Sequence, residues 1–456
     1  MKLQRINFKN ISQFSQLSID FSSTKKDTPI TLLLGEQNSG KTSILKQIFN
    51  TLSWFSNRHK DARSSGILIT DVEILHGKSS AEVSIEISHP SEIGNVFSDT
   101  QTTLRPDYTC RWKVQKNRQN NSALSISTSE LSELDQLVTR YQKQIASDPL
   151  FSTPCIAYYP VERFIYEVNI QGKNIVSTLA PMHNAYDLTV VNFTTFNKFF
   201  EWYREIHDVE NAQAAKLFKQ YLDPEQRFKS QDDLDTTFSS IEQAFRLSSQ
   251  RCISSLRSTL KTVLPEVQDI ELEYTPKLNL LIKHQGQFTP FLQLPQSTRI
   301  WIGLVGDLVR RLCLLNPESL YPCLEGEGIV MIDSIDLLLD TEHLQNILPR
   351  LQRAFPRLQF IVSCSSDQIM EHSEIIQCYM LKDGKAHHIE PFDHQMQLKS
   401  ICDDAINQEL PTTPAVESPH TKQDMDLNHI LTATQQLSEA DLAVLIDQLL
   451  QRSKEP

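Results

Sequence analysis

Residues 30–49 read "ITLLLGEQNSGKTSILKQIF". The apolar run at the start of this stretch ends at Gly35, which is the pattern of a buried strand followed by a turn. Beyond the second glycine, apolar side chains recur at helical spacing, as at Ile44 and Ile48. The stretch therefore predicts a strand, a glycine-bounded loop and a helix in direct succession.

The loop at residues 35–42 matches the pattern GxxxxGK(S/T). Glycines let backbone N–H groups turn inward around phosphate oxygens, and the following helix presents its N-terminus to the same charge. The lysine of this pattern reaches the β- and γ-phosphates, and the threonine hydroxyl ligates Mg²⁺. The alternative is a structural turn that keeps its glycines without a ligand. The predicted nucleotide-binding residues are Gly35, Asn38, Ser39, Gly40, Lys41, Thr42 and Ser43.

A second landmark is "GIVMIDSIDLLLD", residues 328–340. Four apolar residues run into Asp333, which would stand at the carboxyl end of a parallel strand, where ligands bind in open α/β sheets. We expect Thr42 and Asp333 to hold Mg²⁺, with Asp333 acting through a water. The alternative is an acid that only ends a strand.

Further patterns extend this architecture. A helix near 342–354 between "GIVMID" and "LQFIVSCS" (358–365) predicts a parallel α/β sheet. Residues 187–262 have helical periodicity and no glycine, and residues 270–291 predict a hairpin with a turn near Gly286. We expect the basic pair Arg310–Arg311 to be solvated.

The tail has a different composition. A Pro/Thr-rich linker is predicted at 408–422, followed by a short helix that Ser438 caps. The linker-tethered helix could dock on a partner or on its own domain. Its apolar stripe would consist of Leu442, Leu445, Ile446, Leu449 and Leu450.

The bulk composition limits the possible partners. Lys plus Arg number 44 and Asp plus Glu 56, so the net charge is −12 and a wide basic face for nucleic acid is not indicated. There is no run of about 18 apolar residues, so we expect no membrane span. The N-terminus lacks the apolar core of a signal peptide, which favours a cytoplasmic protein.

Several segments together resemble the ABC-type ATPases of the structural-maintenance-of-chromosomes-like (SMC-like) group. More narrowly, they are similar to the ATP-binding subunit of Septu and retron-associated phage-defence systems. The resemblance covers about residues 1–395. Besides the two landmarks above, it is carried by "LSIDF" (17–21), "IAYYPVERF" (156–164), "FNKFFEWYREIHDVEN" (196–211), "QLPQSTRIWIGLVGDLVRRL" (293–312) and "FPRLQFIVSCSSDQ" (355–368).

The resemblance implies the fold class and the cofactors. The expected fold is α/β: a P-loop ABC-type head with a mixed sheet and helices, an inserted helical region, and a C-terminal linker plus short helix. The head would comprise residues 1–186 and 263–395, the insertion 187–262, and the tail 396–456. ATP and Mg²⁺ would be the ligands, bound between two heads that pair head to tail in a homodimer or higher oligomer.

The chain departs from the family pattern at groups expected near the phosphates. Ser334 replaces the usual catalytic glutamate, and Ser365 replaces the usual histidine after the last core strand. In the segment that matches the signature LSxGER, the serine is Pro295 and the glycine is Ser297. Near the N-terminus, the typical arginine of "NFR" is Ser12.

Three functions remain open from these residues. The first is a pseudo-ATPase that binds ATP–Mg²⁺ as a structural or sensory ligand in a defence complex, with a separate effector subunit such as a nuclease. The second is an active ATPase that drives a nuclease or DNA-processing complex, in which Asp336 or Glu162 substitutes for the missing glutamate. The third is a scaffold with an empty loop. Arg163 is expected to approach either the nucleotide or a neighbour.

Overall fold

The computed structural model describes residues 1–22, 30–96, 108–118, 126–163, 165, 185–186, 192–222, 249–366, 369 and 376–389. The chain divides into two units, Met1–His394 and Gln395–Pro456. The predicted linker at 408–422 and the predicted helix after Ser438 belong to the second unit and lie outside the described residues.

The described part of the first unit contains fourteen strands. In chain order they are β1 (Lys2–Ile11), β2 (Phe14–Asp20), β3 (Ile30–Leu34), β4 (Ser80–Ser88), β5 (Thr109–Asn117), β6 (Ile126–Glu130), β7 (Cys155–Tyr159), β8 (Val267–Glu273), β9 (Asn279–His284), β10 (Gln287–Pro290), β11 (Gly328–Ile332), β12 (Leu358–Cys364), β13 (Ile376–Lys382) and β14 (Lys385–Ile389).

The helices surround these strands. In chain order the described helices are α1 (Lys41–Lys60), α2 (Ser132–Ser147), α3 (Asn192–Leu222), α4 (Ser249–Val263), α5 (Gln296–Leu315), α6 (Pro322–Glu325) and α7 (Thr341–Ala354). None of the helices in the described part of the chain has the length and apolar character needed to cross a bilayer.

A six-stranded sheet in the order β14-β13-β3-β12-β11-β7 forms the centre of the fold. The pairs β13–β3, β3–β12, β12–β11 and β11–β7 are parallel, and only β14 runs antiparallel to its neighbour. The predicted parallel unit β11–α7–β12 is therefore present. Because parallel strands end at the same edge, the loop after β3 and the residues after β11 and β12 meet there.

Alternate side chains of this sheet enter two different hydrophobic cores. On β3, Leu32 and Leu34 pack with the layer that contains α3, α4, α5 and α7, whereas Leu33 packs with α1 and the antiparallel sheet. On β11, Val330 packs with the first of these layers and Ile329 with the second. Continuous apolar strands are therefore required, since both faces of the sheet are covered.

A second, antiparallel sheet in the order β2-β1-β4-β5-β6 lies on the α1 side. Because α1 has a sheet on each side, even polar positions of this helix are buried, among them Thr51 and Ser53. Their hydroxyls donate to helix carbonyls one turn earlier, from Thr51 to Gln47 O at 2.8 Å and from Ser53 to Asn50 O at 2.6 Å.

The hairpin prediction for residues 270–291 is incomplete. The turn near Gly286 does join β9 to β10, but β8 pairs with β9 as well, so the segment belongs to a three-stranded sheet in the order β10-β9-β8. The reason is that a polar stretch after Glu273 forms a second turn, which the alternating pattern alone did not separate from the strand.

The prediction that Arg310 and Arg311 are solvated is wrong. Both are buried on α5, and both bind Asp307, which is 0 % exposed. Arg310 Nη2 lies 2.9 Å from Asp307 Oδ1, and Arg311 Nε lies 2.7 Å from Asp307 Oδ2. The Tyr159 hydroxyl, on β7, donates to Asp307 Oδ2 at 3.0 Å. Burial raises the pKa of Asp307, but the two guanidinium groups outweigh it and hold the pKa below its usual value.

Replacing Asp307 with Asn should therefore destabilise the fold strongly. It leaves two buried guanidinium groups without a counter-charge, which costs about 3–5 kcal/mol in the free energy of unfolding. Urea denaturation of the variant measures this cost. The control is Asp269→Asn, because Asp269 pairs with Arg257 at the surface and such pairs contribute about 0–1 kcal/mol. Equal losses in the two variants would contradict the interpretation.

Candidate functional site

The loop between β3 and α1 depends on its two glycines. Gly40 has φ +93°, and a Cβ added there would lie 2.4 Å from the Phe14 ring on β2. A Cβ at Gly35 would lie 2.7 Å from Ser39 Oγ and 2.8 Å from the Leu381 carbonyl. Asn38 also adopts the left-handed region, with φ +64°. Only residues without a Cβ fit at Gly35 and Gly40, so the loop can pack its backbone tightly.

Lys41 is the first residue of α1 and is buried under this loop. Its Nζ donates to the carbonyls of Gly35 at 2.5 Å and Glu36 at 2.8 Å. Burial lowers the pKa of Lys41, and the charges of Asp336 and Asp333 act in the opposite direction. The ammonium group therefore lies in the field of two carboxylates. The next residue, Thr42, is exposed.

Asp333 follows β11 directly and is 0 % exposed. Its Oδ1 accepts a hydrogen bond from the Ser363 hydroxyl at 2.6 Å, whereas Oδ2 is buried and has no hydrogen-bond partner. A buried carboxylate oxygen without a partner is costly unless a cation or water satisfies it. Oxygen ligands are also those that Mg²⁺ prefers, so Asp333 fits a Mg²⁺ site.

Ser334 forms a corner after Asp333, with φ +47°. Its N–H donates to Ser363 Oγ at 2.7 Å, and its carbonyl accepts from Arg163 Nη2 at 2.6 Å. Arg163 Nη1 also donates to the Asp333 carbonyl. The position that the family pattern gives to glutamate thus carries only a hydroxyl.

Asp336 lies close to this corner. Its Oδ2 accepts the N–H of Ser365, which follows β12, at 3.1 Å. Burial and the charge of Asp336 together raise the pKa of the Cys364 thiol to about 12, so this cysteine stays protonated. Ser365 and Glu162 are both exposed. Asp336 is therefore a second carboxylate beside Lys41, and Ser365 presents a backbone N–H to it.

The signature-like segment begins helix α5. Pro295 is the residue before the helix, with φ −51° and ψ 146°, and its carbonyl accepts the N–H of Arg299 at 3.0 Å. Arg299 Nη1 donates to the Ile165 carbonyl at 3.0 Å, and Ser297 is half-buried. The helix N-terminus expected from the sequence is present, with a proline at the position before its first turn.

The turn that contains Ser12 lies beside the phosphate loop. Ser12 has φ +50° and its N–H donates to the Glu73 carbonyl at 2.7 Å. The neighbouring Gln13 side chain approaches Gly40, since a Cβ there would lie 3.0 Å from Gln13 Nε2. This turn is the place where the family pattern has its arginine.

Two residues of the site carried no signal in the sequence analysis. Ser363 is a buried polar residue that follows three apolar residues near the end of its strand, and that contrast could have marked it. Tyr158 is the other; burial, the charges of Asp333 and Glu162, and the approach of its hydroxyl to the Asp333 carboxylate raise the pKa of its phenol. The hydroxyl therefore stays protonated beside the two acids, although it makes no hydrogen bond of ordinary geometry to Asp333 Oδ2.

Comparison with known proteins assigns the family. The profile of the AAA domain family matches residues 5–275, more than half of the chain. The chain belongs to the AAA domain family. The match includes the phosphate loop but ends before Asp333, so the second half of the site rests on the geometry above.

Two curated proteins are similar to this AAA-domain chain along most of its length. "Retron Vc95 probable ATPase" of Vibrio cholerae serotype O1 biovar El Tor is 29% identical over 404 residues, which are 81% of this chain and 71% of that protein. "Retron Ec83 probable ATPase" of Escherichia coli is 27% identical over 416 residues, 84% of this chain and 72% of that protein.

Among solved structures, an Smc head bound to the C-terminal winged-helix domain of ScpA has a TM-score of 0.46 and 13% identity, with 87% of this chain and 100% of that chain covered. An Smc head with an extended coiled coil, bound to the C-terminal domain of ScpA derived from Pyrococcus furiosus, has a TM-score of 0.45 and 15% identity, with 88% and 99% covered. The predicted resemblance to retron-associated ATPases is confirmed by the family and the relatives. The predicted α/β fold class with a mixed sheet is confirmed by the topology.

Gly40→Ala should disrupt the loop more than its backbone conformation alone would require. A residue with a Cβ in the left-handed region costs roughly 1–2 kcal/mol, and here the methyl group also overlaps the Phe14 ring. Gly77→Ala is the matched control, because Gly77 has φ +77° and open space around its Cβ position. Thermal melting with and without ATP should show that only Gly40→Ala abolishes the ATP-induced stabilisation. Identical behaviour of both variants would contradict a steric role for Gly40.

Proposed function

We propose that this protein binds ATP–Mg²⁺ as a structural or sensory ligand and hydrolyses it weakly or not at all. One observation carries the proposal. The Asp333 carboxylate keeps a buried oxygen without a partner in the same cluster as Lys41, whereas the next residue, Ser334, has no carboxylate and has its backbone N–H and C=O engaged by protein groups.

The residues that bind ground-state phosphate are complete. The backbone of the Gly35–Gly40 loop and the N-terminus of α1 suit phosphate oxygens, and Lys41 supplies a positive charge. Thr42 and Asp333 would hold Mg²⁺ together with phosphate oxygens and waters. When bound, Mg²⁺ would neutralise part of the phosphate charge. These interactions support affinity without requiring that the terminal phosphate be cleaved.

The groups that stabilise the transition state are depleted. Loss of a general base typically costs about 10²- to 10⁴-fold in rate, and loss of one donor to the developing charge about 10²- to 10³-fold. Ser334 and Ser365 stand in the positions of the usual glutamate and histidine. Pro295 has no N–H, and Ser297 adds a side chain where the family pattern has glycine. Together these changes favour binding over turnover.

The relatives support a place for the protein in antiviral defence. Both are named as retron ATPases, and we propose that this chain likewise acts in a multi-protein complex whose effector, such as a nuclease, is another subunit. We further propose that two or more copies associate head to tail around the nucleotide. The net charge of −12 does not favour nucleic acid as the direct ligand.

The wild-type protein should bind ATP with Mg²⁺ and show turnover no higher than Lys41→Ala. Lys41→Ala should lose ATP affinity, because it removes the buried ammonium beside the two acids. Isothermal titration and phosphate release on the same samples measure both quantities. Robust wild-type turnover that Lys41→Ala abolishes would refute the proposal, and absence of any ATP-induced melting shift would indicate a scaffold with an empty loop.

A second function, active ATP hydrolysis, is favoured by the position of Asp336. This carboxylate lies near Lys41 and holds the N–H of Ser365, so it could orient an attacking water in place of the missing glutamate. ATP hydrolysis would then drive a partner nuclease or DNA-processing complex.

Asp336→Asn tests this alternative, with Glu162→Gln as the control because Glu162 is exposed. If hydrolysis is impaired as proposed, the single-turnover rates of both variants at saturating ATP stay at the wild-type background. A drop of about 10²-fold or more confined to Asp336→Asn would establish Asp336 as the general base and would support the second function instead.

A further inference from the structure

Arg163 is a buried cation whose role the proposed function does not explain. Its side chain is 2 % exposed, and it follows β7, the edge strand beside β11. Both of its terminal nitrogens are engaged by backbone carbonyls: Nη1 donates to Pro160 at 2.9 Å and to Asp333, and Nη2 donates to Ser334 at 2.6 Å. Within the described residues, these two nitrogens therefore bind the chain itself, and the buried Nε has no hydrogen-bond partner.

Those bonds argue against a direct role on the phosphates. Both N–H groups of Nη1 are used, and one of the two on Nη2 is used as well. An arginine that stabilised a transferring phosphoryl group would need its fork directed outward. Burial lowers the pKa of Arg163 to about 10, while the charges of Asp333 and Asp336 act against this shift. The two acids thus favour the charged form of Arg163 electrostatically, while its hydrogen bonds go to backbone carbonyls.

The corner at Asp333–Ser334 is held from both sides of its strand. β11 lies between β12 and β7 in the sheet. From the β12 side, Ser363 Oγ binds the Asp333 carboxylate and the Ser334 N–H. From the β7 side, Arg163 binds the carbonyls of the same two residues. Ser334 needs such support, because its left-handed backbone is unfavourable for a residue other than glycine.

We propose that Arg163 is a positioning residue: by binding the backbone carbonyls of Asp333 and Ser334, it sets the free oxygen of the Asp333 carboxylate for a divalent cation. The inference rests on the proposed ATP–Mg²⁺ function. Since its hydrogen bonds go to backbone carbonyls, Arg163 would act through Asp333, in the manner of the outer groups that orient metal ligands in other sites.

The test is Arg163→Lys, because a single ammonium keeps the charge but cannot reproduce the planar fork that spans two carbonyls. The matched control is Arg251→Lys, since Arg251 also donates to a backbone carbonyl, that of Ser319 at 3.1 Å, but on α4. For each variant, ATP affinity is measured by titration over a range of Mg²⁺ concentrations and again in EDTA.

The expected result is a selective loss. In Arg163→Lys the Mg²⁺ concentration that gives half of the maximal gain in ATP affinity rises about 10- to 100-fold. The ATP affinity measured in EDTA stays at the wild-type value. Arg251→Lys leaves both quantities unchanged. Three results would overturn the proposal: an unaltered Mg²⁺ requirement, an equal loss of ATP affinity with and without Mg²⁺, or a variant that does not fold. Each would mean that Arg163 only supports the fold.

A nucleotide-free readout separates this inference from the proposed function. Hydrogen exchange of peptides that span residues 328–338 should be faster in Arg163→Lys than in wild type, with the remaining peptides unchanged. Unchanged exchange there would overturn the positioning role even if ATP binds. If wild type binds no ATP, the proposed function fails and so does the metal part of this inference, whereas faster exchange would still establish that Arg163 holds the corner.

Discussion

The parallel pairing of β12 with β3 on one side and β11 on the other is the constraint on which the site depends. The register places Val362 beside Ile332, so the next residues, Ser363 and Asp333, are neighbours and their side chains hydrogen-bond. The same strand runs alongside β3 up to Leu34, where the phosphate loop begins. Three segments distant in sequence therefore converge at one edge because their backbones share one hydrogen-bonded ladder.

Buried charged side chains form two clusters in the fold, one around Asp333 and one around Asp307. Lys41 and Arg163 lie close to Asp333 and Asp336. Asp307 pairs with two arginines of its own helix, α5, and its contact with Tyr159 joins α5 to β7. Burying an ion is costly, so such groups persist when partners compensate them. In the α5 cluster the pairing is complete, whereas at Asp333 one oxygen is left over. That difference separates a structural cluster from one suited to a ligand.

The local structure of the candidate site was predictable where a short stretch contains its own strand, turn or helix signals. The loop from Gly35 to Thr42 and the strand before Asp333 are of this kind, and the parallel arrangement followed from continuous apolar strands. Asp307, the partner of Arg310 and Arg311, is only one turn away on the same helix, but the burial of the two arginines was not predictable because their cover comes from β7 and Ala185, which are distant in sequence. Nor was the pairing of β8 with β9, since alternation does not specify a partner strand.

Local sequence was sufficient for the strand–loop–helix unit and for the residue types that suit phosphate and Mg²⁺, because each depends on near neighbours in the chain. The replacements at Ser334 and Ser365 were visible in the sequence only through the resemblance to the family pattern. Packing of distant segments established the rest: the contact of Arg163 with two carbonyls some 170 residues away, and the free oxygen of Asp333. The reason is physical. A hydrogen bond between strands depends on their register and order in the sheet, which arise only when all the layers fold together.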